Sequence, residues 1–234
     1  MIDKFVASVA EAVADVEDGS TVMIGGFGNA GMPAELIDAL IAQNARDLTI
    51  VNNNAGNGDT GLAALLATKR VRKIICSFPR QIDSWVFDAL YRSGDIELEL
   101  VPQGNLAERI RAAGAGIGGF YTPTGYGTQL AEGKETREID GRHYVLEYPI
   151  HADYALIKAD RADRFGNLVY RKTARNFNPV MATAGRVTVA EVEHLVEPGA
   201  IDPDHIHTPG IFVQRILKGP HYEKRIEKRT VREN

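Results

Sequence analysis

Three stretches of this 234-residue chain gather residue types suited to holding an acyl group. The first runs Asp18-Gly19-Ser20-Thr21-Val22-Met23-Ile24-Gly25-Gly26-Phe27-Gly28-Asn29-Ala30-Gly31-Met32-Pro33. A turn feeds a short apolar run, then a glycine-rich loop, then a proline suited to the first turn of a helix, where its missing N–H costs nothing. Glycine lets backbone approach a ligand closely and takes positive φ without a clash. Such loops present N–H groups to anionic or acyl groups, so Gly25, Gly26, Phe27, Gly28, Asn29, Ala30 and Gly31 form the candidate cofactor-binding loop. The second stretch is Asn52-Asn53-Asn54, directly after an apolar run, and the third centres on Gln103. Asparagine caps turns and tolerates left-handed backbone, but an amide is also a neutral donor that polarises a carbonyl. Preorganised donors stabilise a developing oxyanion by roughly 3–4 kcal/mol each, so Asn53, Asn54 and Gln103 are candidates for oxyanion and pocket support in acyl transfer. A convincing nucleophile and base are missing from the chain.

Other patterns compete and fall short. Gly26-Phe27-Gly28-Asn29-Ala30-Gly31 matches G-x-G-x-x-G, yet the next strand ends Val51-Asn52-Asn53-Asn54 without the acid that would hold a ribose. Tyr154 and Lys158 fit the Tyr-x-x-x-Lys of a short-chain dehydrogenase, and Asn53-Asn54-Ala55-Gly56 imitates that family's Asn-Asn-Ala-Gly element. That pair needs a helix, whereas the segment alternates like a strand, which would separate them by about 13 Å. Neither a Gly-x-Ser-x-Gly elbow nor a Walker loop is present. His205 and His207 flank one residue, but without clustered Cys or carboxylates at ligand spacing they read as a surface loop and no metal is expected.

The elements that must position these residues follow from hydrophobic period. Residues 3–16 read as an amphipathic helix on Phe5, Val6, Val9, Ala10, Val13 and Val16. Strands are expected at Thr21–Ile24, Leu48–Val51, Val71–Cys76 and Ile96–Leu100, the last with one wet face. Helices are expected at Pro33–Gln43, Leu62–Thr68, Asp83–Arg92 and Leu106–Ala112. This βα order predicts an α/β fold, a mainly parallel sheet covered by helices. After residue 119 the chain becomes more irregular and strand-rich: a turn-rich loop at Thr122–Gly127, strands at His143–Glu147, Tyr154–Ala159, Leu168–Tyr170, Val187–Val189 and Ile211–Val213, and a hairpin turn at Asp163–Asn167. No linker or repeat splits it, so 1–234 reads as a single domain. Ligands of such sheets sit beyond the carboxyl ends of the strands, where the loops Gly25–Met32, Asn52–Gly58 and Pro102–Asn105 fall.

Composition narrows the class. The sequence is 44% hydrophobic and 25% charged with net charge −4, ordinary globular values that argue against nucleic acid as partner. Lys218–Asn234 holds six Lys/Arg among three glutamates, a solvated helix face or a subunit contact. One cysteine, Cys76, excludes an internal disulfide and reads as a buried inert thiol in a reducing compartment. No run approaches 18 apolar residues, and the N-terminus lacks signal-peptide features, so no membrane association and a cytoplasmic location are expected.

At these residues the sequence resembles family I coenzyme A-transferases, on the side of the alpha subunits of 3-oxoacid CoA-transferases. The match covers essentially the whole chain. It is carried by Asp18–Pro33, by Asn53-Asn54-Ala55-Gly56, by Pro102-Gln103-Gly104-Asn105-Leu106-Ala107-Glu108-Arg109-Ile110-Arg111, by Phe120–Gly127 and by Arg171-Lys172-Thr173-Ala174-Arg175-Asn176-Phe177-Asn178. The resemblance implies that coenzyme A passes from succinyl-CoA to a 3-oxoacid through acyl-glutamyl anhydride and glutamyl-CoA intermediates. It also implies that the glutamate lies in a Ser-Glu-Asn-Gly context on a beta subunit, in a heterodimer or heterotetramer. No Glu-Asn-Gly occurs here, so this chain would supply no catalytic nucleophile, only half a site. Glu147 and Glu108 are carboxylates by type, and Glu108 reads as a helix-face partner of Arg111. By resemblance Gln103 and Asn53–Asn54 line the pocket, the Gly25–Gly31 loop meets the coenzyme A thioester substrate, and no cofactor is bound permanently.

Ser77-Phe78-Pro79-Arg80-Gln81 and Glu132–Arg137 are more similar to family members acting on 3-oxoadipate than on acetoacetate. The distal carboxylate of that acid wants a cation, for which Arg80, Arg109 and Arg171 are open choices. Outside the transferases, the alternatives are a non-catalytic regulator that binds coenzyme A or a sugar phosphate, and a nicotinamide oxidoreductase. The regulator would want a DNA-binding helix-turn-helix segment, which is not apparent, and the oxidoreductase is weakened by the missing ribose acid.

Overall fold

The structure, a computed structural model, describes residues 2–219. Its helices are α1 (Val9–Ala12), α2 (Ala34–Gln43), α3 (Leu62–Ala67), α4 (Trp85–Ser93), α5 (Gln103–Gly114) and α6 (Asn178–Ala184). Its strands are β1 (Thr21–Ile24), β2 (Leu48–Val51), β3 (Val71–Cys76), β4 (Glu97–Leu100), β5 (Phe120–Thr122), β6 (Thr136–Ile139), β7 (Arg142–Glu147), β8 (Ala152–Asp163), β9 (Leu168–Val169), β10 (Gly185–Val196) and β11 (Arg215–Lys218).

One sheet runs in the order β11-β10-β8-β1-β2-β3-β4, every pair along it parallel, with β9 folded antiparallel onto β8. A second, antiparallel sheet has the order β5-β7-β6. The main sheet is buried on both faces, as parallel sheets must be when helices cross over them. Successive strand residues point to opposite faces, and the core divides accordingly. Val22, Ile24, Ile50, Ile74 and Leu156 meet α2, α3 and α4 through Leu36, Leu40, Leu62, Leu66 and Phe87. Met23, Val51, Ile75, Ala155 and Ile157 meet α5 and α6 through Leu106, Ile110 and Met181. The continuous apolar runs in the sequence are therefore two-sided strands.

Four expectations are corrected. The N-terminal segment is helical only at Val9–Ala12. Before it, Phe5 bridges Ile216, with Val6 N–H donating to the Ile216 carbonyl at 2.9 Å and Ile216 N–H to that of Lys4 at 2.8 Å. The open edge of β11 claims these backbone groups in place of helical bonds. Ile211–Val213 is not a strand: Gly210–Phe212 forms a 3-10 turn, and the strand begins at Arg215. Pro209 precedes the turn, and Gly210 lies so close to the Asp163–Asn167 turn that a Cβ would fall 2.3 Å from the Phe165 carbonyl. Helix α5 starts at Gln103 instead of Leu106, so Pro102–Asn105 is a helix start and not a loop. The irregular C-terminal half supplies the two longest strands: β8 and β10 pair along 12 residues each and continue the same sheet. The charged stretch Lys218–Asn234 lies outside the described residues from Pro220 onward.

Candidate active site

The carboxyl ends of β1, β2, β3, β4 and β8 share one edge, so the loops that follow them converge there. The glycine loop after β1 is a tight hairpin, with Phe27 and Ala30 exchanging backbone hydrogen bonds of 3.0 and 3.1 Å around Gly28-Asn29. Phe27 is thereby pushed out into solvent. The loop's glycines answer to packing. A Cβ on Gly25 would stand 1.8 Å from Asn178 Oδ1, and one on Gly31, at φ 71°, 2.7 Å from the Ala174 carbonyl.

Asn178 is the fastener of this corner. It is fully buried at the start of α6. Its Nδ2 donates to the carbonyls of Gly31 at 3.0 Å and Ala174 at 2.8 Å, and its Oδ1 accepts the Lys158 N–H at 2.9 Å. One side chain thus joins the glycine loop, the 172–175 turn and β8. Sequence reasoning passed over it; the signal was an asparagine just ahead of a helical proline, which reads as a cap.

The three asparagines after β2 are all buried, each with a different task. Asn52 Nδ2 donates to the Ile24 carbonyl at 2.6 Å, and its Oδ1 accepts the Asn54 N–H at 2.9 Å, so it ties β1 to the loop through an Asx turn. Asn53 Oδ1 accepts from Ser77 Oγ at 2.8 Å and from Gln103 Nε2 at 2.9 Å. Asn54 Oδ1 accepts the Gly56 N–H at 2.9 Å, while its Nδ2 has no hydrogen-bond partner among the described residues. Gln103, exposed on the first turn of α5, is therefore aimed by Asn53 with one amide hydrogen still to offer. The expected grouping of Gln103 with the asparagine loop is present.

Beside this donor cluster opens a cleft of about 1200 Å3. Phe27, Asn29, Ala30 and Gly31 form one wall, whereas Gly25, Gly26 and Gly28 lie off it, as do Asn53, Asn54 and Gln103. The far wall is the extension of β8 and β10 beyond β1, carrying Lys158, Asp160, Glu191 and Glu193, with Tyr170–Ala174 above them. Phe78 and Ile82 stand exposed on the opposite rim.

Lys158 and Glu191 are buried and face each other across β8 and β10, Nζ to Oε1 at 3.2 Å. Glu191 Oε2 also accepts the N–H groups of Glu35 at 3.0 Å and Leu36 at 3.2 Å. These belong to the first turn of α2, whose own N-cap, Pro33, has no side chain to offer. A strand carboxylate thus caps the helix that the glycine loop opens. Burial pushes Lys158 below the ordinary lysine value, opposed by the Glu191 charge. Burial likewise pushes Glu191 up, opposed by Lys158 and the Leu36 N–H.

The remaining candidates resolve structurally. Glu108 pairs with Arg111 at 2.5 Å on an exposed face of α5. Glu147 is buried and bound by Lys134 at 2.8 Å and Asn105 at 3.2 Å. Cys76 is fully buried in the core, and burial pushes its thiol up to about 12. Tyr154 and Lys158 lie on a strand, with Tyr154 Oη donating to the Asp15 carbonyl at 2.7 Å, so they form no dehydrogenase pair. His205 is exposed, and His207 Nδ1 accepts the Tyr170 N–H at 2.9 Å. Asp160, Glu193 and His194 bring three potential ligand atoms within 4.8 Å of one another, with Asp160 already facing Arg161 and Arg171. No described helix is long and apolar enough to cross a membrane.

Comparison with known proteins adds to this geometry. The sequence model described as Coenzyme A transferase matches residues 6–219. The chain is 69% identical over 217 residues to the alpha-type subunit of the 3-oxoadipate CoA-transferase of Pseudomonas putida, covering 93% of this chain and 94% of the relative. It is 54% identical over 230 residues to the corresponding subunit of a probable succinyl-CoA:3-ketoacid coenzyme A transferase of Bacillus subtilis, covering 98% of this chain and 96% of the relative. Among solved structures, an acyl-CoA transferase from E. coli O157:H7 in a thioester complex with CoA has the same fold, with a TM-score of 0.81 at 23% identity. That alignment covers 95% of this chain and 48% of the other.

Proposed function

The chain belongs to the coenzyme A transferase family, and on that premise we propose that it is the alpha subunit of an enzyme that moves coenzyme A from succinyl-CoA to 3-oxoadipate. The observation that carries the substrate choice is the identity of 69% to the relative named for 3-oxoadipate, against 54% to the one named for 3-ketoacids. The partner is a beta subunit, since these relatives are each named as one subunit of a larger enzyme. In this reading residues 1–234 act as one half of the catalytic unit. Coenzyme A enters as a substrate thioester, with no resident cofactor, and the buried lone thiol suits the cytoplasm.

The chemistry assigned to this chain is electrostatic. A glutamate of the partner attacks the succinyl thioester carbonyl, and Gln103, oriented by Asn53, donates to the oxygen on which charge accumulates. The thiolate that leaves attacks the resulting anhydride, giving a glutamyl thioester and free succinate. The acceptor carboxylate then runs the same two steps in reverse, regenerating the glutamate. Asn54, with an amide hydrogen to spare, supports the same pocket, and the Gly25–Gly31 loop packs against the acyl end of coenzyme A. A glutamyl thioester hydrolyses if water reaches it, so the contact between the two subunits must close over the site.

The test is CoA transfer from succinyl-CoA to 3-oxoadipate and to acetoacetate, by this chain alone and with its co-expressed beta partner. Transfer only with that partner, and in preference to 3-oxoadipate, is expected. Preference for acetoacetate would move the substrate assignment, and transfer by the isolated chain would refute the split site.

A further inference from the structure

Building on the reading of a transferase for two dicarboxylic acyl groups, we propose that Arg171 anchors the substrate carboxylate that takes no part in transfer. Succinyl-CoA and 3-oxoadipate each carry such a group at the end remote from the reacting carbon. A carboxylate entering a cleft lined by Glu35, Asp38, Asp59 and Glu193 meets like charge and loses water, so it needs a cation on the wall.

The structure separates the three arginines that the sequence left open. Arg109 is consumed: its side chain is only 14% exposed, donates to the Tyr148 carbonyl at 2.7 Å and to Glu99 at 3.0 Å, and lies 3.8 Å from Glu147. Arg80 is off the cleft wall and is bound to Asp88 at 2.6 Å. Arg171 stands on the wall with its side chain 49% exposed. Its one ion pair among the described residues is a 3.7 Å approach of Nε to Asp160 Oδ1, beyond hydrogen-bond distance. Its five N–H donors form a planar fork that fits a carboxylate bidentately. The deeper cation, Lys158, is matched by Glu191 at 3.2 Å.

The reach is right as well. β9 pairs with β8 so that Val169 faces Arg161, which sets Arg171 alongside β8. Asn53, which aims Gln103, follows β2, and only β1 with its glycine loop lies between β2 and β8. Two strand spacings come to about 10 Å. An extended six-carbon dicarboxylate spans roughly 6–8 Å, from five C–C bonds of about 1.5 Å. It would bridge the two with a hydrogen bond at each end, lying across the Gly25–Gly31 loop.

The experiment uses the reconstituted complex and two acceptors of equal chain length, 3-oxoadipate and 3-oxohexanoate, which differ in the second carboxylate alone. Arg171→Gln is expected to lower kcat/KM for 3-oxoadipate about 10- to 100-fold, the size of a lost charge-assisted hydrogen bond, chiefly through KM, and to raise KM for succinyl-CoA. Transfer to 3-oxohexanoate should stay within about twofold on the same reasoning. Arg171→Lys should recover part of the loss, and Arg80→Gln should move neither acceptor. Equal losses on both acceptors, or an unchanged preference for 3-oxoadipate, would overturn the assignment of Arg171. A wild-type complex without transfer to 3-oxoadipate would overturn the functional reading itself, and with it the anchor, before any variant is made.

Discussion

Gly25→Ala offers a sharp test of how the glycine loop is held. Its added Cβ would lie 1.8 Å from Asn178 Oδ1 and 2.7 Å from Cγ, and the three nearest atoms all belong to the Asn178 side chain. Gly25 does not have left-handed backbone, so the conflict is purely steric. The alanine must evict the amide, which forfeits the bonds to the Gly31 carbonyl, the Ala174 carbonyl and the Lys158 N–H. At about 1–1.5 kcal/mol net for each buried bond, the loss is about 3–5 kcal/mol. Asn178→Ala loses the same three bonds and costs about the same. In the double variant the clash is gone and the bonds are lost once, so the total stays near 3–5 kcal/mol instead of the additive 6–10, a coupling of about 3–5 kcal/mol. Urea unfolding of the four full-length proteins, followed by circular dichroism, measures each value. Costs that add to within about 0.5 kcal/mol would refute the shared fastener.

Three other outcomes are expected. Gln103→Ala should lower kcat of the reconstituted complex about 10²- to 10³-fold with little change in KM, as for a lost oxyanion donor; a shift confined to KM would assign Gln103 to binding. Asp15 is held below the ordinary carboxylate value by the Arg215 fork, with both contacts at 2.6 Å. That contribution is present above the unfolded value of 3.8 and is lost as pH falls through the lowered folded one. Arg215→Met should therefore destabilise by about 0.5–1 kcal/mol at pH 7, the pair being partly exposed, and urea midpoints of variant and wild type should draw together as the pH drops below about 4. With its thiol buried and pushed up to about 12, Cys76 should resist a thiol-reactive disulfide reagent at pH 8 in the native chain and react at once in urea. Fast native labelling would show that the β3 end opens.

Much of the architecture was legible because it rests on local pattern. The strands from Thr21 to Cys76 and the helices between them follow from apolar runs of four to six residues alternating with 3.6-residue periodicity. Those signals survive in tertiary structure because a parallel sheet buries both faces. The failures have a common origin. The N-terminal segment carries helical spacing, yet the edge of β11 offers Phe5 and Val6 hydrogen bonds that no local rule foresees. Ile211–Val213 has strand composition, yet the close approach of Gly210 to the Phe165 carbonyl turns the chain instead.

By itself the sequence determined the two-sided parallel sheet, the edge at which loops gather, the glycine and asparagine loops, and the absence of a nucleophile to match their donors, because each depends on residue type and short spacing. Only tertiary structure decided which amide aims which. Asn53 reaches Gln103 across 50 residues, Glu191 caps α2 from a strand 155 residues away, and Asn178 fastens Gly31 from 147 residues on. It also sorted three equivalent arginines into one consumed, one remote and one standing in the cleft. A side chain's partners depend on which strands lie side by side, and the order β10-β8-β1-β2 joins the two ends of the chain in a way that no local periodicity encodes.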